Sequence, residues 1–74
     1  MEFLWDENNI SHIRKHGVSP DLAERVFWVG CRSIAPTRFH HRWVIEAEVD
    51  GRNYRLVFDR SREDIIYPVA CFPL

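Results

Sequence analysis

Two histidines, His12 and His16, are the first residues of this sequence whose types and spacing suggest chemistry. They stand four residues apart in the segment NISHIRKHGVSP, so an α-helix would place both on one face. Such a pair can act as acid and base, supply two ligands to a metal, or form the polar edge of a small helix. The zinc-protease pattern needs a glutamate directly after the first histidine, and Ile13 stands there. We therefore expect no metal cofactor.

Metal-free cleavage of RNA is one chemistry that these residue types can support. It needs a base for the 2′-hydroxyl proton, an acid for the leaving 5′-oxygen, and cations for the charge on the phosphate. Histidine and arginine suit these tasks. The candidate catalytic residues are His12, Lys15, His16, Arg42 and Arg55. Composition alone does not favour a ribonuclease over a binding module, and histidines that only line the edge of the core are the alternative.

The charge distribution adds candidates for RNA contact. The net charge is only −1, but residues 31–45 contain no acid. Nine of the ten basic residues are arginines, which make forked contacts with phosphate or carboxylate. The expected RNA-binding residues in this segment are Arg32, Arg38, His40 and His41. A solvated surface that pairs with nearby acids is the simpler interpretation.

Length and composition favour a single domain over residues 1–74, with a core rich in aromatic side chains. Cys31 and Cys71 have no metal-type spacing. A disulfide between them is the alternative, but we expect two buried free thiols in a reducing compartment. There is no membrane-spanning apolar run and no secretion signal at the start of the sequence. These features predict a cytoplasmic protein without membrane contact.

The N-terminal half predicts a short strand over residues 2–5 and then two helices. Asp6 is a natural N-cap of the first helix, which should extend to His16 with Gly17 as its terminator. Ser19 and Pro20 should begin the second helix, and Gly30 should end it. The predicted buried face of that helix consists of Leu22, Ala23, Val26 and Phe27.

A β-hairpin is predicted around Asp50-Gly51, a two-residue type I′ turn sequence between alternating segments. The turn fixes the register, so six side chains should share one buried face: Trp43, Ile45, Ala47, Tyr54, Leu56 and Phe58. The other face should pair Glu46 with Arg55 and Arg42 with Asp59. Residues 31–37 and 65–71 could add strands, with Pro68 at an edge or a bulge. The predicted fold is α+β, with two N-terminal helices on one face of a three- to four-stranded antiparallel sheet.

The first twenty-seven residues also resemble a family pattern. Phe3, Trp5-Asp6-Glu7, Asn9-Ile10, His12-Ile13 and His16-Gly17-Val18-Ser19-Pro20, followed by Ala23 and Val26-Phe27, resemble the N-terminal signature of BrnT-type toxins. The Asp-Gly-Arg hairpin and the Tyr-x-Leu-Val-Phe strand are similar to theirs, so the resemblance covers nearly the whole chain.

The resemblance implies a RelE-like fold and a metal-free endoribonuclease of a bacterial type II toxin–antitoxin pair. It implies an RNA substrate and a cognate antitoxin, a small DNA-binding protein, and leaves a homodimer open. His12, Lys15 and His16 carry over as active-site candidates. Members commonly end with a strand that contains two arginines, whereas this chain has Tyr67 and Phe72 there and no tail. The alternative is therefore a degenerate member that binds an antitoxin or another protein without cleaving RNA.

Overall fold

Residues 1–62 and 64–74 are the part of the chain described by the structure, a computed structural model. This part contains β1 (Glu2–Phe3), α1 (Glu7–Arg14), α2 (Pro20–Gly30), a 3-10 helix (Cys31–Ser33), β2 (Ala35–Pro36), β3 (Arg42–Val49), β4 (Arg52–Arg62) and β5 (Ile65–Pro73). The strands form one sheet in the order β1-β5-β4-β3-β2. Within the described residues, neither α-helix has the length and apolarity needed to cross a membrane.

The α+β class and the two N-terminal helices are confirmed, but the predicted sheet was wrong in two respects. The sheet has five strands among the described residues, not three or four, and it is mixed, because β1 runs parallel to β5. Only Glu2 and Phe3 make this parallel pairing, with Ile65 and Ile66. The strand predicted over residues 2–5 is therefore present but shorter. A pairing of two residues across most of the chain leaves no local pattern, so the sequence could not show which strand β1 pairs with.

Capping residues set the helix boundaries. The Asp6 carboxylate accepts a hydrogen bond from the Asn9 backbone N–H at 3.0 Å, and the Asn9 side chain accepts one from the Asp6 N–H at 2.8 Å. This capping box confirms the predicted start of α1. Ser19 accepts from the Leu22 N–H at 3.1 Å and begins α2 at Pro20, as expected. The predicted end of α1 was two residues late, because the helix ends at Arg14 and His16 lies in the following turn.

The hairpin prediction is confirmed in turn and register. Asp50 and Gly51 have φ values of 53° and 79°, as a type I′ turn requires. All eight pairs from Val49↔Arg52 to Arg42↔Asp59 occur as predicted. The six predicted face-sharing residues contribute to the core, with Trp43 and Ala47 only partly buried. Gly30 lets α2 approach this face closely, because a Cβ there would lie 2.3 Å from Ile45 Cγ2.

Both helices pack on this face of the sheet. Ile13 of α1 and Ala23, Val26 and Phe27 of α2 are buried in one cluster with residues of β3, β4 and β5. Pro68 is in β5 beside a register shift, because Val57 faces Ala70 whereas Phe58 faces Pro68. Pro68 was expected at an edge or a bulge, and the structure shows a bulge with Val69 as the extra residue.

The two cysteines, both free, should differ sharply in reactivity. Burial raises the pKa of Cys71 to about 12, whereas Cys31 is partly exposed. Since the thiolate is the reactive form, a disulfide reagent at pH 8 should titrate Cys31 in the native protein and reach Cys71 only after unfolding. Counting released thiolate spectroscopically before and after adding urea checks this. Equal rates for both thiols in native protein would contradict it.

Candidate functional site

The sheet face opposite the helices, here called the open face, carries polar side chains in two rows. The register of β3, β4 and β5 aligns Glu46, Arg55 and Phe72 in the first row, and Arg42, Asp59 and Tyr67 in the second. Between them lies an apolar strip of Val44, Val57 and Ala70. The rows are four residues apart on β3, or about 13 Å at 3.3 Å per residue. The open face therefore has an apolar strip between two rows, each with a charged pair and an aromatic residue.

Each row contains an arginine–carboxylate pair. Arg55 Nε donates to Glu46 Oε2 at 2.7 Å. Arg42 donates to both carboxylate oxygens of Asp59, at 2.7 Å from Nε and 3.0 Å from Nη2. The hydrogen bond that Arg42 donates to Asp59 raises the pKa of Arg42 above its ordinary value. A guanidinium has five N–H donors, so both arginines keep donors that a phosphate can use.

A buried amide fixes α1 against the edge of the sheet. Asn9 is 3% exposed, and its Nδ2 donates to the carbonyl oxygens of Leu4 at 2.9 Å and Pro68 at 3.1 Å. The Pro68 contact joins α1 directly to β5, beyond the two residues that β1 pairs. Side chains from α1 and its C-terminal turn consequently lie along the rim of the open face.

His12 and His16 are both exposed at this rim. Their ring centroids are 5.8 Å apart, and the His16 centroid is 5.7 Å from that of Phe72. The Arg55 Cζ lies 6.0 Å from the Phe72 centroid. His16, Phe72 and Arg55 therefore form a continuous line from the rim into the first row. Of the two predicted arginines, Arg55 is the one brought towards the histidines.

Beside His12 there is a small hollow lined by Asn8, Asn9, His12, Tyr67 and Val69, which we call the Tyr67 hollow. The Tyr67 hydroxyl donates to Asp6 Oδ2 at 2.9 Å. Partial burial, and then this hydrogen bond, raise the pKa of Tyr67, so its hydroxyl stays a donor. The Asn9 backbone N–H is the main reason that the pKa of Asp6 is lowered. The hydrogen bond to Asp6 therefore restrains the Tyr67 ring at its hydroxyl end.

The predicted RNA-binding residues are divided between two places. Arg38, His40 and His41 are exposed in the turn between β2 and β3, around Phe39. The His41 imidazole is 4.0 Å from Asp59, so this turn lies at the second-row end of the open face. Arg32 is exposed in the 3-10 helix, before β2.

Besides Arg42 in the second row, Lys15 is a predicted catalytic residue that the structure separates from His12, His16 and Arg55. It lines a groove with Glu7, Ile10, Ser11 and Arg14, along the outer side of α1. Sequence reasoning did not single out Asn8, Tyr67 and Phe72 as site residues. The alternation of β5 could have placed the two aromatics on the face of Arg55, but only with the bulge at Val69 known.

The arrangement can support acid–base chemistry on a phosphodiester. The exposed imidazoles of His12 and His16 lie next to each other. The Phe72 ring lies between His16 and the Arg55 guanidinium, which keeps donors for a phosphate. Among the described residues, no three or more His, Cys, Asp or Glu side chains group in a way that could hold a metal ion.

Comparison with solved structures identifies the fold type. No protein-family model matches the chain, and no curated protein matches it in sequence. Among solved structures, the ribonuclease toxin BrnT of Brucella abortus matches with a TM-score of 0.78. The match covers 100% of this chain and 96% of that one at 22% identity. The chain therefore has the BrnT-type fold that its N-terminal signature indicated.

Proposed function

We propose that this protein is a metal-free endoribonuclease, the toxin of a type II toxin–antitoxin pair. The observation that carries the proposal is the exposed His12–His16 pair at the rim of the open face, joined to Arg55 through Phe72. The shared fold with a ribonuclease toxin supports it. The proposed setting is the cytoplasm, with a small DNA-binding antitoxin as the partner that blocks the open face, and a homodimer as a second assembly.

The proposed reaction is an internal transesterification. One imidazole removes the proton of the 2′-hydroxyl, whose oxygen attacks the phosphorus, and the other protonates the departing 5′-oxygen. The products are a 2′,3′-cyclic phosphate and a free 5′-hydroxyl, and the water that later opens the cyclic ester is not needed for cleavage. Arg55 holds the charge that develops on the phosphate oxygens. Arg42 adds positive potential for the flanking backbone. Lys15, on the outer side of α1, takes no part in this reaction.

The test is cleavage of a defined RNA by purified protein in EDTA, with the chemistry of both new ends identified. Cyclic phosphate and 5′-hydroxyl ends are expected. Activity that disappears with EDTA, or 5′-phosphate ends, would overturn the mechanism.

RNA affinity should also depend steeply on salt if the basic turn contacts the backbone. Arg38→Ala should reduce the slope of log affinity against log salt by about 0.7 for a single strand, because one phosphate contact is lost. Arg14→Ala, an exposed arginine of α1 outside the open face, is the matched control and should leave the slope within error. Identical salt slopes for wild type and Arg38→Ala would mean that this turn is an ordinary solvated surface that does not contact RNA.

A degenerate, non-cleaving member is the second candidate, and one observation favours it. Tyr67 and Phe72 occupy the open face where the resemblance leads one to expect arginines. A small gene for a DNA-binding protein directly downstream, whose product binds this chain while the free chain cleaves no RNA, would select this candidate.

A further inference from the structure

The Tyr67 hollow lies at the rim of the open face, and of the residues that line it only His12 has a role in the proposed reaction. Its volume is about 260 Å³, below the range of about 300–1,000 Å³ that drug-sized ligands occupy. The hollow consequently suits a group no larger than a single planar ring system. His12, one of the proposed acid–base pair, forms part of its wall.

The wall chemistry suits a flat, weakly polar group. Tyr67 and Val69 are each partly buried and line the hollow next to each other along β5. The hydrogen bond from the Tyr67 hydroxyl to Asp6 restrains the ring, so little side-chain entropy is lost when another ring stacks on it. Every nucleobase has a π-face, and stacking on aromatic side chains is the usual way in which proteins hold unpaired bases.

One polar side chain that lines the hollow is available to form hydrogen bonds with the edge of a bound base. The two asparagines differ: the Asn9 amide is occupied by Leu4, Pro68 and Asp6. Asn8 is exposed, and among the described residues no side chain or backbone group pairs with its carboxamide. A free carboxamide offers two donors and an acceptor, which match the Watson–Crick edge of a base.

We propose that the Tyr67 hollow binds one unpaired nucleobase next to the scissile phosphate, so that the site takes single-stranded RNA. This inference rests on the proposed ribonuclease function. The base stacks on Tyr67 between Val69 and His12, and Asn8 hydrogen-bonds its edge. A base in an A-form duplex is stacked on its neighbours and paired through its Watson–Crick edge, so neither its face nor that edge is free to enter the hollow.

The experiment measures binding separately from cleavage. A fluorescent 2′-O-methyl oligonucleotide, which has no 2′-hydroxyl to attack, is titrated as a single strand and as a duplex of equal length. Wild type should bind the single strand at least tenfold more tightly. Tyr67→Leu should weaken single-strand binding by roughly 5- to 150-fold, the range for one lost base stack. Tyr67→Phe, which keeps the ring and loses the bond to Asp6, should stay within about threefold of wild type.

Equal affinity of folded Tyr67→Leu and wild type, or equal affinity for strand and duplex, would overturn the inference. If Tyr67→Leu does not fold, Asn8→Ala decides, because Asn8 is exposed and its loss leaves the core intact. That variant should bind the single strand roughly 2- to 12-fold more weakly than wild type, because one hydrogen bond to the base is lost, and an unchanged affinity would overturn the inference. A wild type that binds the methylated strand but cleaves no RNA overturns only the ribonuclease proposal. No binding of single strands at all overturns both.

Discussion

His16→Ala should lower the rate of RNA cleavage by roughly a hundredfold or more, the scale expected for a lost general acid or base. The imidazole lies at the end of the line through Phe72 to Arg55. In the proposed reaction, the ribose 2′-hydroxyl or the leaving 5′-oxygen beside a phosphate held by Arg55 meets the imidazole there. The measurement is single-turnover cleavage across a range of pH. Wild type should give a bell-shaped profile, and the variant should lose one limb of it, because only one of the two proton-transfer groups remains.

The fold should survive this substitution, because His16 is exposed in the turn after α1. Arg14→Ala is the matched control: it removes an exposed basic side chain at the end of α1, two residues before His16, on the side away from the open face. It should cleave at close to the wild-type rate. An active wild type whose His16→Ala variant cleaves equally fast, with an unchanged pH profile, would make the histidines structural.

The sequence predicted those parts of this fold that local rules determine. Asp50-Gly51 permits the positive φ values of a type I′ turn, and this turn sets all eight pairs of the hairpin. Asp6 and Ser19 fix the helix starts, because their side chains satisfy free backbone N–H groups within three residues. Each of these features depends on neighbours in the chain, so it leaves a readable pattern.

The site depended on contacts that no local pattern records. Asn9 joins α1 to Pro68, 59 residues later, and this places His12 and His16 at the rim of β5. The bulge at Val69 puts Phe72 opposite Arg55, and without it the alternation along β5 would be misread by one residue. The sequence could therefore name the histidines and Arg55 as candidates. It could not show that Phe72 joins them or that Lys15 lies on the outer side of α1.

Arg55→Ala should reduce the cleavage rate by about 100- to 1,000-fold, the usual effect of removing one donor to the charge of a transition state. Arg55 is on β4, directly opposite Phe72, whereas Arg42 is on β3, one strand farther from α1 and in the other row. Adjacent strands are about 4.8 Å apart. Arg42 is therefore less able than Arg55 to reach a phosphate that His16 also contacts. Arg42→Ala should accordingly cause a smaller loss. Arg55→Lys should fall between wild type and alanine, because it keeps the charge and loses the fork.

Glu46→Gln separates phosphate binding from the ion pair itself. It removes the negative partner of Arg55 and keeps the guanidinium in place, and an exposed pair of this kind contributes only about 0–1 kcal/mol to stability. Glu46→Gln should therefore cleave at least as fast as wild type, since a competing carboxylate has been neutralised. A loss as large as that of Arg55→Ala would mean that the ion pair is needed to hold Arg55 in its position on the open face. Equal losses for the alanine variants of Arg42 and Arg55 would instead place the scissile phosphate over the apolar strip, between the two rows.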